Sequence, residues 1–248
     1  MKSTINTSPD HISRLLKQFK LIDIQTNYES EIAYAIENNI GHREFLVRLL
    51  EIEAEGKRER NVEKNIKAAR FEGIKTLDGF DFSFPEKINE SKIRDLETLS
   101  FIENKENVIL IGPPGVGKSH IGISLGVLAC KKGFKVLFTT AQEFIDNLYK
   151  SYMNGTLDST FKAIRKIEVL IIDELGHFQT DKEKESIFFQ IIRQRYEKGS
   201  LIITTNVPLG NWDKIFSSKL AATAILDRLI HHCHLISITG DSYRVKGK

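Results

Sequence analysis

Eight consecutive residues, Gly112-Pro113-Pro114-Gly115-Val116-Gly117-Lys118-Ser119, place glycines, a lysine and a hydroxyl at the GxxxxGK[ST] spacing. Those residue types at that spacing suit a polyphosphate. Glycines let a loop wrap so that successive backbone N–H groups point inward around phosphate oxygens. The motif follows an apolar run at 107–111 and opens a helix at about Lys118, whose N-terminus adds partial positive charge. Lys118 then reaches the β- and γ-phosphates, and the Ser119 hydroxyl ligates Mg²⁺. The expected nucleotide-binding set is Gly112, Pro113, Pro114, Gly115, Val116, Gly117, Lys118, Ser119 and His120. A glycine-rich turn without a ligand is the plain alternative.

A second apolar run ends in two acids, Val169-Leu170-Ile171-Ile172-Asp173-Glu174. Carboxylates at the C-terminal edge of a buried strand sit where open α/β sheets bind ligands. Asp173 is expected in the Mg²⁺ shell and Glu174 as the group that polarises the attacking water. Neighbouring side chains on a strand point to different sides, so the two carboxylates serve separate roles. A third run, Leu201-Ile202-Ile203-Thr204-Thr205-Asn206, also ends polar. If its strand lies between the other two, Asn206 or Thr205 reaches the γ-phosphate or the water; otherwise Asn206 only starts the turn before Val207-Pro208.

The elements that must position these groups are legible as a pattern. Short apolar runs at 108–111, 136–139, 169–172, 201–204 and 235–238 alternate with amphipathic stretches at 118–131, 141–152, 158–166, 182–197 and 219–231. That alternation predicts an α/β fold with a five-stranded parallel sheet covered on both faces. Thr140 with Glu143 and Thr180 with Glu183 form Thr-x-x-Glu capping pairs at two helix starts. Before residue 80, apolar residues recur at helical spacing, as in Ile12, Leu15, Leu16 and Phe19. The expected organisation is a small all-helical domain at 1–79 for interaction or DNA contact, a linker at 80–105 and the nucleotide-binding core at 106–248. Gly41 and Gly56 are the expected breaks or caps in the helical part, and Phe80, Phe82 and Phe84 are expected to anchor the linker or to border the adenine.

Net charge is +3 in 248 residues, which neither demands nor excludes a nucleic-acid partner. Its distribution says more. Residues 29–55 hold seven acidic side chains against Arg43 and Arg48, whereas 57–70 hold six basic ones against Glu59 and Glu63. At helical periodicity Lys57, Arg60, Lys64 and Lys67 fall within an arc of roughly 80°. That stripe is either a solvated face or a contact for a phosphate backbone, and Lys150, Lys162 and Lys166 of the core are further candidates. No apolar run is long enough for a membrane span, the N-terminus lacks a secretory pattern, and two cysteines cannot form a disulfide framework. The expected location is the cytoplasm, with no membrane partner. His231, His232, Cys233 and His234 lack a second ligand pair elsewhere, so zinc is not expected. Cys130 is expected to pack rather than react.

Five strands, a P-loop after the first, Asp-Glu after the third and Asn after the fourth resemble the AAA+ ATPase core. Phe80-Asp81-Phe82-Ser83-Phe84, Ile172-Asp173-Glu174-Leu175-Gly176, Thr204-Thr205-Asn206-Val207-Pro208, Ile225-Leu226-Asp227-Arg228-Leu229-Ile230-His231-His232 and Gly240-Asp241-Ser242-Tyr243-Arg244 together resemble the IstB family of insertion-sequence transposition helpers, relatives of the DnaC helicase loaders. The resemblance covers about residues 60–245. It implies an ATP- and Mg²⁺-dependent ATPase that oligomerises head to tail on double-stranded target DNA with little sequence preference and recruits or activates a cognate transposase. It also implies that Arg228 is an arginine finger acting on a neighbouring subunit; Arg193 and Arg195 are rivals for that role. Residues 240–248 are too few for the helical lid of the wider superfamily, so a lidless core is expected, with Arg244 partly substituting for a lid arginine. A replicative helicase loader shares the whole ATP site and is the alternative. A stand-alone P-loop kinase fits Glu174 beside Asp173 poorly.

Overall fold

A computed structural model describes residues 6–176, 181–216 and 219–245. Two compact units divide between Glu63 and Lys64. The division lies earlier than the expected 79: the basic stretch at 57–70 continues a helix that begins at His42, and that helix's last turns belong with the core.

In the first unit, α1 (Pro9–Gln18) and α2 (Ile22–Glu37) precede α3 (His42–Ala69), which runs on through the division. The N-terminus of α2 has no side-chain cap of its own. Glu53 of α3 supplies one: its Oε2 accepts from Asp23 N at 2.9 Å and from Ile24 N at 3.2 Å. A carboxylate there satisfies orphan N–H groups and complements the helix dipole. Arg60 closes the cluster, donating to Asp23 at 2.6 Å and to Glu53 at 3.3 Å. Gly56 therefore does not break the helix. A Cβ there would come within 2.2 Å of the Asp23 carboxylate, so this glycine makes room for the cluster. Gly41 does precede α3, accepting from Phe45 N. Replacing Glu53 by Ala is expected to destabilise this unit by about 2 kcal/mol, since the two N–H groups at the start of α2 lose their acceptor and Arg60 is left with Asp23 alone. Urea unfolding of the full chain checks this; an unchanged first transition would mean that water replaces the carboxylate without loss.

The second unit opens with the end of α3, then α4 (Glu90–Leu96) and α5 (Ser100–Glu103). Residues 80–105 are thus no free linker: Ile93, Leu96, Leu99, Phe101 and Ile102 are buried in the core. The alternating segments follow as β1 (Asn107–Ile111), α6 (Lys118–Lys131), β2 (Val136–Thr140), α7 (Ala141–Met153), α8 (Leu157–Ile164), β3 (Val169–Asp173), α9 (Lys182–Arg195), β4 (Ser200–Thr205), α10 (Lys219–Ile230) and β5 (Cys233–Ser237). Among the described residues the sheet is five-stranded and parallel, in the order β2-β3-β4-β1-β5.

Period-two alternation sends each strand into two cores. On β3, Val169 and Ile171 pack with α6, whereas Leu170 and Ile172 pack with α7 to α10. β5 begins two residues before the apolar run suggested. Its register on β1 extends to Asn107 opposite Cys233, and an edge strand needs fewer apolar residues, as half-exposed Leu235 illustrates. Thr140 caps α7 as expected, accepting from Glu143 N. Thr180 lies outside the described residues, and α9 is capped by Asp181, which accepts from Lys184 N at 2.8 Å. Among the described residues no helix is long and apolar enough to cross a membrane.

Candidate nucleotide site

The P-loop spans the gap between β1 and α6. Gly115 and Gly117 adopt φ of +82° and +97°, and Gly117 is the N-cap of α6. Both also lie under close neighbours. A Cβ on Gly117 would come within 2.3 Å of the Phe80 ring, and one on Gly115 within 2.0 Å of the Ser242 hydroxyl. Tyr243 N donates to Gly115 O at 3.0 Å, and the Tyr243 ring packs edge-on against Phe84. The loop is thus held from one side by residues before β1 and from the other by residues after β5.

Beside it lies a cavity of about 610 Å³ whose wall includes Lys118, Ser119, Glu174, Thr204, Asn206 and Arg244. Phe80, Phe84 and His120 border it as well. Phe80 packs edge-on against His120, whose Nε2 lies 2.9 Å from Thr76 O. Phe82 points away, under the Arg94 guanidinium. The aromatic residues therefore divide the two expected tasks: Phe82 anchors, and Phe80 and Phe84 do that and line the cavity.

The strand order puts β4 between β3 and β1, the condition on which a role for its polar end depended. Asp173, 4% exposed, accepts from Ser119 Oγ at 2.8 Å. Two hard oxygen donors held together next to a phosphate cradle fit a divalent cation such as Mg²⁺. Lys118 Nζ donates to Gly112 O at 2.9 Å and Pro113 O at 2.7 Å. Burial lowers its pKa; Asp173 and Glu174 oppose that and nearby Arg244 adds to it. Asn206 Oδ1 is buried with no hydrogen-bond partner among the described residues, and its residue lines the cavity. Thr205 is placed differently. Its hydroxyl donates to Leu175 O at 2.6 Å and accepts from Val207 N, so it secures the backbone and does not face the cavity.

Glu174 is exposed at the cavity and has φ of +59°, a left-handed conformation costing a non-glycine residue about 1–2 kcal/mol. Such strain collects where function fixes geometry. Sequence reasoning missed Thr204. Its hydroxyl donates to Asp173 Oδ1 and accepts from Glu174 N at 2.9 Å. No local signal marks one threonine of a polar strand end over the next.

The family described as IstB-like ATP binding protein matches residues 14–248. This chain belongs to that family. Among similar IstB-like proteins, an IS21 insertion-sequence ATP-binding protein of Pseudomonas aeruginosa is 40% identical over 94% of this chain and 88% of its own. An IS5376 counterpart in Geobacillus stearothermophilus is 41% identical over 87% and 86%. Solved structures of DnaI and of the DnaC helicase loader share the fold, with TM-scores of 0.58 and 0.55 at 20% and 21% identity over 70% and 66% of this chain; the match covers 93% and 96% of theirs. The IstB-like chain is an ATP-binding protein with a P-loop AAA+ fold.

The remaining candidates of this IstB-like chain lie apart from the cavity. Arg228 lies in the last turn of α10, donates to Ala224 O at 2.7 Å and sits over the Phe189 ring. Arg195 is excluded as an interface arginine. It is 3% exposed, donates to the carbonyls of Ile164, Ile167, Glu168 and Ser200, and burial brings its pKa down to about 10. Arg193 is exposed. The basic stripe is divided: Lys57 and Arg60 pair with Glu53, whereas Lys64 and Lys67 are exposed and make no ion pair among the described residues. Lys150 and Lys162 are exposed in the last turns of α7 and α8, and Lys166 is exposed just beyond α8.

The histidine cluster divides, with the His231 and His232 rings 4.1 Å apart between centroids. His234 pairs with Glu106 at 2.7 Å, while His231 and His232 lie near Glu197 at the surface. Burial pushes the thiols of Cys130 and Cys233 up to about 11 and about 12, so neither is an activated nucleophile.

Proposed function

We propose that this protein hydrolyses ATP and uses the nucleotide cycle to assemble head to tail on double-stranded DNA, where it recruits or activates the transposase of an insertion sequence. The observation that carries the hydrolytic reading is Glu174, an exposed carboxylate at the cavity mouth with Asn206 on the adjoining strand end. Glu174 takes the proton of the attacking water, and the Asn206 amide orients that water or the γ-phosphate. Lys118 holds the β- and γ-phosphates, and the N–H groups of the 112–119 loop surround them. Ser119 and Asp173 hold Mg²⁺, which supplies charge neutralisation to the phosphates. Phe80 and His120 border the base. Arg228 completes the site of the next subunit, which requires heterologous contacts and therefore rings or filaments.

The names of similar relatives, ATP-binding proteins of insertion sequences, support the transposition reading over helicase loading, for which the shared fold alone speaks. DNA contact falls to Lys64, Lys67, Lys150 and Lys162, whose exposed ammonium groups suit phosphates and carry little sequence information. Lys57 and Arg60 contribute less, because Glu53 and Asp23 already pair with them. Duplex-DNA binding by the full chain with ATP is expected to exceed binding without nucleotide and to weaken as salt rises. Lys118→Ala is expected to abolish the ATP-dependent part of that binding. Equal, salt-independent binding with and without ATP would sink the assembly reading.

A further inference from the structure

We propose that Thr204 is a positioning residue for hydrolysis, holding the Glu174 carboxylate in its working direction. The inference rests on the ATPase reading above. A threonine hydroxyl has one proton to donate and lone pairs to accept with. Thr204, 1% exposed on β4, uses both: the proton goes to Asp173 Oδ1, and a lone pair accepts from Glu174 N at 2.9 Å. One buried oxygen thereby joins the carboxylate of the cation site to the backbone of the residue carrying the base. Asp173 Oδ1 also accepts from Ser119 Oγ, so the connection extends to the start of α6.

Glu174 occupies a sparsely populated conformation, with φ of +59°. The reason lies on β4. Leu175 N donates to Thr204 O at 2.9 Å, and Thr205 Oγ1 donates to Leu175 O at 2.6 Å. With the bond from Glu174 N, three hydrogen bonds fasten the turn after β3 onto the neighbouring strand. Two are backbone-directed and survive substitution at Thr204. Among the described residues the Thr204 hydroxyl is the group that bonds Glu174 itself, so its loss frees the peptide plane that sets where the carboxylate points. A general base contributes only when its oxygen lies in reach of the water, and small displacements are costly to rate.

Thr204→Val and Thr204→Ser separate this role from packing. Valine keeps the β-branched shape that suits a buried strand but removes the hydroxyl; serine keeps the hydroxyl. ATP turnover and nucleotide affinity are measured on the full chain with Mg²⁺, with and without duplex DNA. T204V is expected to lower kcat by about 10- to 100-fold. Its nucleotide Kd should change by less than about 3-fold, and T204S should turn over within about 3-fold of the unsubstituted protein. In an E174Q background T204V should cause no further loss, because there is no base left to position. Wild-type turnover in T204V overturns the inference. So does a loss that T204S fails to restore, a parallel fall in affinity, or an added loss in the E174Q background. An unsubstituted protein that binds ATP without hydrolysing it would overturn the ATPase reading itself, and this one with it.

Discussion

Glu174→Gln is expected to leave ATP binding intact and to lower turnover by about 10²- to 10⁴-fold, the contribution of a positioned general base. The amide is nearly isosteric with the carboxylate, so the cavity wall keeps its shape. The phosphate-holding groups, Lys118 and the loop N–H groups, are untouched. The backbone bond from Glu174 N to Thr204 also survives, because it does not involve the side chain. What disappears is the proton acceptor. The variant should therefore accumulate the ATP-bound state, and its complexes with duplex DNA should outlast those of the unsubstituted protein. Single-turnover hydrolysis alongside nucleotide-binding titrations separates the two quantities. Normal hydrolysis in E174Q would remove Glu174 from its role, whatever its place in the cavity.

Arg228→Ala is expected to bind ATP as the unsubstituted chain does but to hydrolyse it about 10³- to 10⁵-fold more slowly in the assembled state, the scale of an arginine finger supplied from outside a site. Within its own chain Arg228 is committed to Ala224 O and the Phe189 ring and is not part of the cavity wall. Its removal should therefore leave the isolated subunit's nucleotide affinity unchanged. Mixing decides whether it acts in trans. R228A retains Glu174, and E174Q retains Arg228, so a mixed assembly contains competent composite sites although each variant alone is inactive. Recovered turnover on mixing is the expected result. Absence of recovery, with both variants shown to co-assemble, would mean that Arg228 serves its own subunit or none.

The parts of the site legible in the chain alone are those whose chemistry is encoded locally. The P-loop is one, since its phosphate cradle depends on residues within a single turn and on glycines that tolerate φ of +82° and +97°. The acids ending β3 and the amide after β4 are others, because buried parallel strands read as apolar runs and their polar ends mark the ligand edge. Even the division of β3 between two cores follows from period-two alternation along five residues.

Elements that depend on residues distant in sequence escaped such a reading. Gly56 looked like a helix break, yet it accommodates Asp23 from another helix. Arg195 looked like an interface arginine, yet it binds four carbonyls inside the core. Half of the basic stripe pairs with Asp23 and Glu53, and Glu53 also caps α2. Residues 80–105, expected as a linker, supply buried side chains and the Phe80 ring over the loop.

By itself the sequence determined the fold class, the nucleotide loop and the identity of the acids, because each is written in spacing along one strand, loop or helix. Tertiary structure decided what Thr204, Thr205 and Asn206 do. Three consecutive polar residues point in different directions there: one hydroxyl turns to Asp173 and Glu174, the next to Leu175, and the amide residue borders the cavity. Direction at a strand end is set by which strand lies alongside, and the placement of β4 between β3 and β1 is a property of the assembled sheet.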